Sequence, residues 1–339
     1  MKKTLVVAAG LAVLSTSAYA TKARMTALNQ NAELGSFYMD DERNAFRAAG
    51  DFSGNYVYLE HGGNAASGVG GTAEGGFFRE GNSMSYGLYL NSATRGNVQS
   101  VNGAVDPARV DLFLRSNSGM NWGVRLGYES VTVDANGTTV AADNDSSGFD
   151  LSVNGDLGGA NVWFTYVAGA DALTSGGNDQ EADMTIGLTY DYSDYVLFAE
   201  YDSEGGVDTS TNEAATSLTL GAAKTHSTNS GMWFYDLSLV LTTAEGNVDG
   251  VDRTRLPVTF GFETQATSWL TWRASIQQSL FGELDSNGNA SSARTTTLGV
   301  GASLNWGDLR VDGTVTNANT TTNLGTDGFM TNVSAVYNF

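Results

Sequence analysis

Cysteine is absent from the 339 residues, and proline and histidine occur twice each. Without cysteine there is no disulfide framework, thiolate metal site or cysteine nucleophile. Two prolines leave little punctuation for an interdomain linker, although the length alone would suggest two domains. Basic residues are scarce too: 17 Lys+Arg stand against 37 Asp+Glu, a formal net charge of −20. Such a chain is a poor nucleic-acid ligand, because phosphate neutralisation needs clustered Lys and Arg. Glycine is plentiful, at 42 residues, and the chain is 41% apolar, enough to bury a core. Together these numbers predict one large, glycine-punctuated all-β object.

Long apolar runs are missing as well, except at the start. Lys2 and Lys3 precede an apolar run from Leu5 to Leu14, and Ala18-Tyr19-Ala20 supplies small residues at a cleavage site. Residues 1–20 therefore read as a secretory signal peptide, which directs the chain out of the cytoplasm. Its removal leaves 15 basic and 37 acidic residues, a net charge of −22. No later run is long enough for a spanning helix, so any membrane crossing is made by strands.

From about Gly54 onward the dominant signal has period two. Trp122, Val124, Leu126 and Tyr128 alternate with Gly123, Arg125, Gly127 and Glu129, and Met184, Ile186, Leu188 and Tyr190 alternate with Thr185, Gly187, Thr189 and Asp191. One face of each strand is thus apolar and the other small or polar. The polar face holds many Gly, Ser and Thr but few charges, which suits a barrel with lipid outside and a polar lumen inside. Short links such as Ser193-Asp194 and Gly307-Asp308 alternate with long polar ones such as 133–147 and 282–293, the pattern of periplasmic turns and external loops. All six Trp lie beside the short turns, as an interfacial aromatic girdle at one rim requires. Pro107 and Pro257 fall at strand starts, where a ladder donor is dispensable.

Sixteen segments can be drawn, from 55–61 to 328–339; the weakest is the Gly-rich 72–79, and fourteen is the alternative count. The fold class is an all-β transmembrane antiparallel up-and-down β-barrel over 54–339, preceded by a short, partly helical segment at 21–53. Phe339, Tyr337, Ala335, Val333, Thr331 and Phe329 share one face of the last strand. A terminal Phe on an alternating final strand resembles the assembly signal of Gram-negative outer-membrane barrel proteins, and residues 55–339 resemble general porins. That resemblance implies an outer-membrane location, lipid as partner, and a homotrimer.

Residues 21–53 break the period-two rule. Met25, Leu28 and Ala32 follow helical spacing, and Lys22, Arg24, Arg43 and Arg47 concentrate positive charge in an acidic chain. Two readings stand: a periplasmic or lumenal plug whose Arg24, Arg43 and Arg47 meet acidic lumen walls, or an amphipathic leader capping the barrel mouth. The layout also resembles the N-terminal hatch of the long-chain fatty-acid transporter family, with Arg43–Ala49 keeping the Asn of that family's Asn-Pro-Ala motif but not the Pro.

Alternation assigns Arg115, Arg125, Glu129, Asp150, Asp191, Glu200, Asp236, Glu263, Arg273, Arg310 and Asp312 to the polar, pore-lining face. An Arg on the lipid face at mid-membrane would cost roughly 2–4 kcal/mol. These groups set ion selectivity, pair across neighbouring strands, or do both. The third external loop carries Asp134, Asp143 and Asp145; the porin resemblance makes it a candidate constriction loop, and a solvated loop is the other reading. Asp285-x-Asn287-x-Asn289 lacks the glycine and glutamate that complete a calcium loop, so no metal site is assigned and no cofactor is expected. No motif surrounds His61 or His226, so no enzyme activity is expected. The sequence therefore reads as a passive channel for small hydrophilic solutes and cations. A hydrophobic-substrate barrel with a hatch and a non-conducting structural barrel are the alternatives.

Overall fold

The computed structural model describes residues 21–62, 73–92, 108–119, 121–133, 144–170, 179–206, 214–244, 253–280, 296–317 and 332–339. Residues 1–20, expected to be a signal peptide, and Asp134, Asp143, Pro107 and the Asp285–Asn289 stretch lie outside these residues. A six-residue helix α1 (Lys22–Ala27) and a 3-10 turn (Glu42–Phe46) precede the strands. The strands are β1 (Tyr56–Gly62), β2 (Ala73–Arg79), β3 (Met84–Leu90), β4 (Ala108–Ser116), β5 (Trp122–Val133), β6 (Asn144–Leu157), β7 (Ala160–Val167), β8 (Asp183–Tyr192) and β9 (Tyr195–Glu204). They continue as β10 (Ala215–Thr228), β11 (Gly231–Ala244), β12 (Arg253–Arg255), β13 (Pro257–Thr267), β14 (Leu270–Ser279), β15 (Thr296–Trp306), β16 (Leu309–Asn317) and β17 (Asn332–Asn338).

Each strand pairs antiparallel with the next, except that β12 and β13 both pair with β11, and β1 closes the sheet against β17 in register from Tyr56↔Asn338 to Gly62↔Asn332. Closure joins the first strand to the last, which removes the open sheet edges that lipid could not satisfy. β12 and β13 both pair with β11 and occupy one line of the wall, interrupted at Leu256. The wall is thus a sixteen-strand barrel, and the fourteen-strand alternative falls away. The interruption has a local cause: Pro257 has no N–H to offer the ladder. The Gly-rich β2 is a full wall strand, paired on both sides.

The outer face carries the apolar half of the alternation: Leu59, Leu112, Leu126, Tyr128, Ile186, Leu188, Leu237, Phe260, Leu298 and Val300 are all exposed. Among the described residues no helix is long and apolar enough to cross a membrane. Four inward aromatic rings lie over glycines directly opposite on the neighbouring strand: Phe78 over Gly87, Trp163 over Gly187, Phe198 over Gly221 and Phe234 over Gly261. A Cβ at any of those glycines would fall inside the ring, so the glycine clears the space that the aromatic fills. Trp163 corrects the expected girdle of six: it is buried inside the barrel, while Trp122, Trp269, Trp272 and Trp306 are exposed. Residues 21–53 lie inside the barrel. One core packs Leu34, Ala45, Phe46 and Phe52 against Tyr56, Tyr58, Phe78, Tyr89 and Phe113 of β1–β4. A second joins Met25, Leu28 and Met39 to Phe234 of β11.

Candidate functional site

The chemistry of this molecule concentrates where residues 21–53 meet the inner wall. α1 is placed first by its cap: the Thr21 hydroxyl accepts from Arg24 N at 3.0 Å and donates to Asp312 of β16 at 3.0 Å. At the last residue of the helix, Ser275 of β14 donates to Ala27 O at 2.8 Å. Gly299 of β15 sits so close to Ala27 O that a Cβ there would lie 2.4 Å from it. The helix therefore rests directly on wall backbone.

Four ion-pair groups follow around the lumen. At β1 and β2, Arg43 reaches Glu60 at 3.2 Å and Glu33 of its own segment at 2.9 Å. Lys22 pairs with Glu33 at 2.6 Å and contacts Glu74, while its backbone N–H donates to Glu60 at 2.5 Å. At β13 to β16, Arg24 pairs with Glu263 at 2.9 Å and Asp41 at 3.1 Å. Arg273 bridges Glu263 at 2.9 Å and Asp312 at 3.0 Å, and Arg310 also reaches Asp312 at 3.0 Å. At β7 to β9, Arg47 meets Glu200 at 3.3 Å and stacks over the Phe37 ring at 3.8 Å. The fourth group is on the wall itself: Arg109 pairs with Asp111 at 2.9 Å and contacts Asp150, which Arg125 holds at 2.6 Å. The Arg125 guanidinium also donates to Phe46 O at 3.4 Å.

Burying a guanidinium costs several kcal/mol unless carboxylates compensate, and each of these cations has carboxylate partners. Burial opposes the charge on Arg24, but Glu263 and Asp41 outweigh it and hold the guanidinium above its ordinary value. The segment's own acids behave differently. Burial pushes the Asp41 carboxyl up to about 7 even with Arg24 beside it. Burial likewise raises Glu42 to about 8; it accepts a hydrogen bond from Tyr56 and has Asp41 and Asp51 as acidic neighbours.

Of the residues assigned to the pore-lining face, Arg125, Glu129, Asp150, Asp236, Arg273 and Asp312 are buried inside the barrel. Glu200, Glu263, Arg310 and Arg115 are half-buried, and Arg115 donates to Phe52 O. Asp191 is exposed and borders a cavity. Many of these groups thus meet residues 21–53 instead of open water. Asp145 departs from the loop assignment: it lies on β6 opposite Thr132, exposed on the face shared with Phe149, because β6 begins three residues before the expected 147. Six contributors were not singled out from sequence: Glu33, Asp41, Glu60, Glu74, Arg109 and Asp111. Arg109 and Asp111 alternate with Val110, Leu112 and Leu114, the same signal that marked Arg115 on that strand.

No protein-family model and no curated protein matches the chain. Solved structures do. A porin refined at 1.8 Å resolution is 11% identical, covering 84% of this chain and 99% of its own, with a TM-score of 0.46. The Rhodopseudomonas blastica porin is 12% identical, covering 84% and 98%, with a TM-score of 0.36. Acinetobacter baumannii OccAB3 is 10% identical, covering 84% and 97%, with a TM-score of 0.38. At such identities and scores the fold assignment rests on the barrel's own closure and register.

Proposed function

We propose that the chain is an outer-membrane channel for small hydrophilic solutes and ions, with residues 21–53 as a plug docked in its lumen. The observation that carries this reading is the inversion of the barrel: exposed Leu, Ile, Phe and Val outside, buried Arg, Asp and Glu inside. An apolar belt suits lipid and a charged bore suits hydrated solutes. The net charge favours cations, since an acidic mouth concentrates counter-ions. A bore for hydrophobic substrates calls for an apolar lining without charge, whereas the cavities beside the plug place Asp40, Asp191 and Asp236 among aromatic neighbours such as Phe37 and Phe198. No catalytic step is proposed: His61 is the penultimate residue of β1, and His226 lies against Trp233 with ring centroids 5.0 Å apart. The test is the full chain in planar bilayers under a KCl gradient. Discrete steps whose reversal potential moves toward that of potassium support the reading; silence of both the full chain and one lacking residues 21–53, or reversal toward chloride, counts against it. Light scattering in detergent tests the three-copy assembly that the porin resemblance implies.

A further inference from the structure

Two cavities lie between the plug and the wall, and they share a partition. One, of about 190 Å³, is bordered by Asn161, Thr189, Asp191 and Val196, residues close to the short turns at Gly158-Gly159 and Ser193-Asp194. The other, of about 140 Å³, is bordered by Thr219, Ser238, Thr259 and Gln277, toward the long-loop ends of their strands. Each is large enough to hold several waters. Phe37, Tyr38 and Arg47 of the plug border both.

The partition is built from few parts. Phe37 stacks on Phe198 of β9 with ring centroids 4.5 Å apart and planes 6° from parallel. Phe198 is seated over Gly221 and fixed by the wall. Phe37 belongs to the plug, not the wall, and is half-buried, so it is the partner that can move without moving a strand. Arg47 lies over its other face and is tied to Glu200, which also accepts from Trp163 Nε1 at 3.2 Å. On the outer side Tyr38 donates to Asp236 at 2.5 Å. Asp40, Asp51 and Asp191 border the inner cavity, Asp236 the outer one, and Arg47 is the cation between them.

We propose that small cations cross the barrel along this side, from one cavity to the other, when Phe37 swings off Phe198, with Arg47 as the latch. The proposal rests on the channel reading and adds its route and gate. Acidic side chains on both sides of an aromatic partition lower the energy of a cation entering either cavity, while Arg47 at the partition opposes leakage in the closed state.

The chain has no native cysteine, so introduced thiols report without background. Single variants Thr219→Cys and Thr189→Cys, one per cavity, are treated with a cationic methanethiosulfonate during bilayer recording. Thr314→Cys, buried on the inner face of β16 away from both cavities, is the control. Current at 219 and 189 is expected to fall at least twofold on modification while 314 stays unchanged, and Phe198→Ala is expected to raise conductance at least twofold. If Phe198→Ala does not assemble, Phe37→Ala lies off the wall and gives the same readout. A conducting protein indifferent to modification at both sites and to the aromatic variants overturns the route but leaves the channel standing. Absence of conductance in every variant, including one lacking residues 21–53, overturns the channel reading and the route with it.

Discussion

Arg43 shows how this interior is specified at the level of single residues. It is fully buried, lies 4.1 Å from the Phe46 ring centroid, and reaches carboxylates on β1 and in its own segment. Such a cation contributes position more than net stability, because two desolvated charges nearly offset their attraction. Removing it is another matter. Arg43→Met leaves Glu60 buried without its guanidinium and should loosen the plug by roughly 3–5 kcal/mol. Limited proteolysis should then cut within residues 21–53 while the barrel keeps its strand content by circular dichroism; an uncut plug would contradict this.

Protonation acts at the same scale, on Asp41 and Glu42. Docking raises both carboxyls, to about 7 and about 8. A group raised in the docked state stabilises docking fully below its free value, and that contribution disappears as pH climbs through the docked value. The contribution of these two groups to docking is therefore complete below about pH 4 and falls progressively toward pH 8. Protease susceptibility of residues 21–53, measured from pH 5 to 8.5, should rise with pH, and Glu42→Gln should flatten the profile. A plug that tightens with rising pH would contradict the assignment.

At the level of elements, alternation fixes almost everything about the wall. Period two places Leu126 outside and Arg125 inside with no further information, since a one-residue slip would exchange them. Strand ends were harder to read: β6 starts three residues early and β10 runs on to Thr228 through an expected turn. Polar strand ends look like loop residues, and only backbone pairing distinguishes them. Residues 21–53 are legible as a basic, non-alternating stretch, but the particular wall carboxylates they meet are not. Glu60 and Arg43 are close in sequence and joined by the fold, whereas Arg24 and Glu263 are 239 residues apart, a separation no local pattern bridges. Trp163 misled for a related reason: its turn-proximal position fits a girdle, but the space over Gly187 draws it inward.

Two predictions belong to the elements. Leu126→Arg, on the exposed outer face of β5, should destabilise the folded barrel by roughly 2–4 kcal/mol in a lipid-refolding titration. A change within experimental error would mean that this face does not meet hydrocarbon. Gly123, also on β5, touches the plug backbone at Gly50, where a Cβ would lie 2.0 Å from the nitrogen. Gly123→Val should displace the end of the plug without altering any charge, and hydrogen exchange at residues 46–53 should quicken at least tenfold. Unchanged protection there would place the plug elsewhere.

For the whole molecule, the uneven charge unites the fold and the proposed function. The acidic barrel and its basic N-terminal segment are complementary, and the segment's cations are spent on the inner wall at Glu60, Glu74, Glu200 and Glu263. The most direct test compares planar-bilayer conductance of the full chain with that of a chain lacking residues 21–53, both in KCl. The account predicts steps at least several-fold larger after deletion, with cation preference retained by the acidic wall. Equal conductance, or none after deletion from a barrel that still assembles, would contradict it.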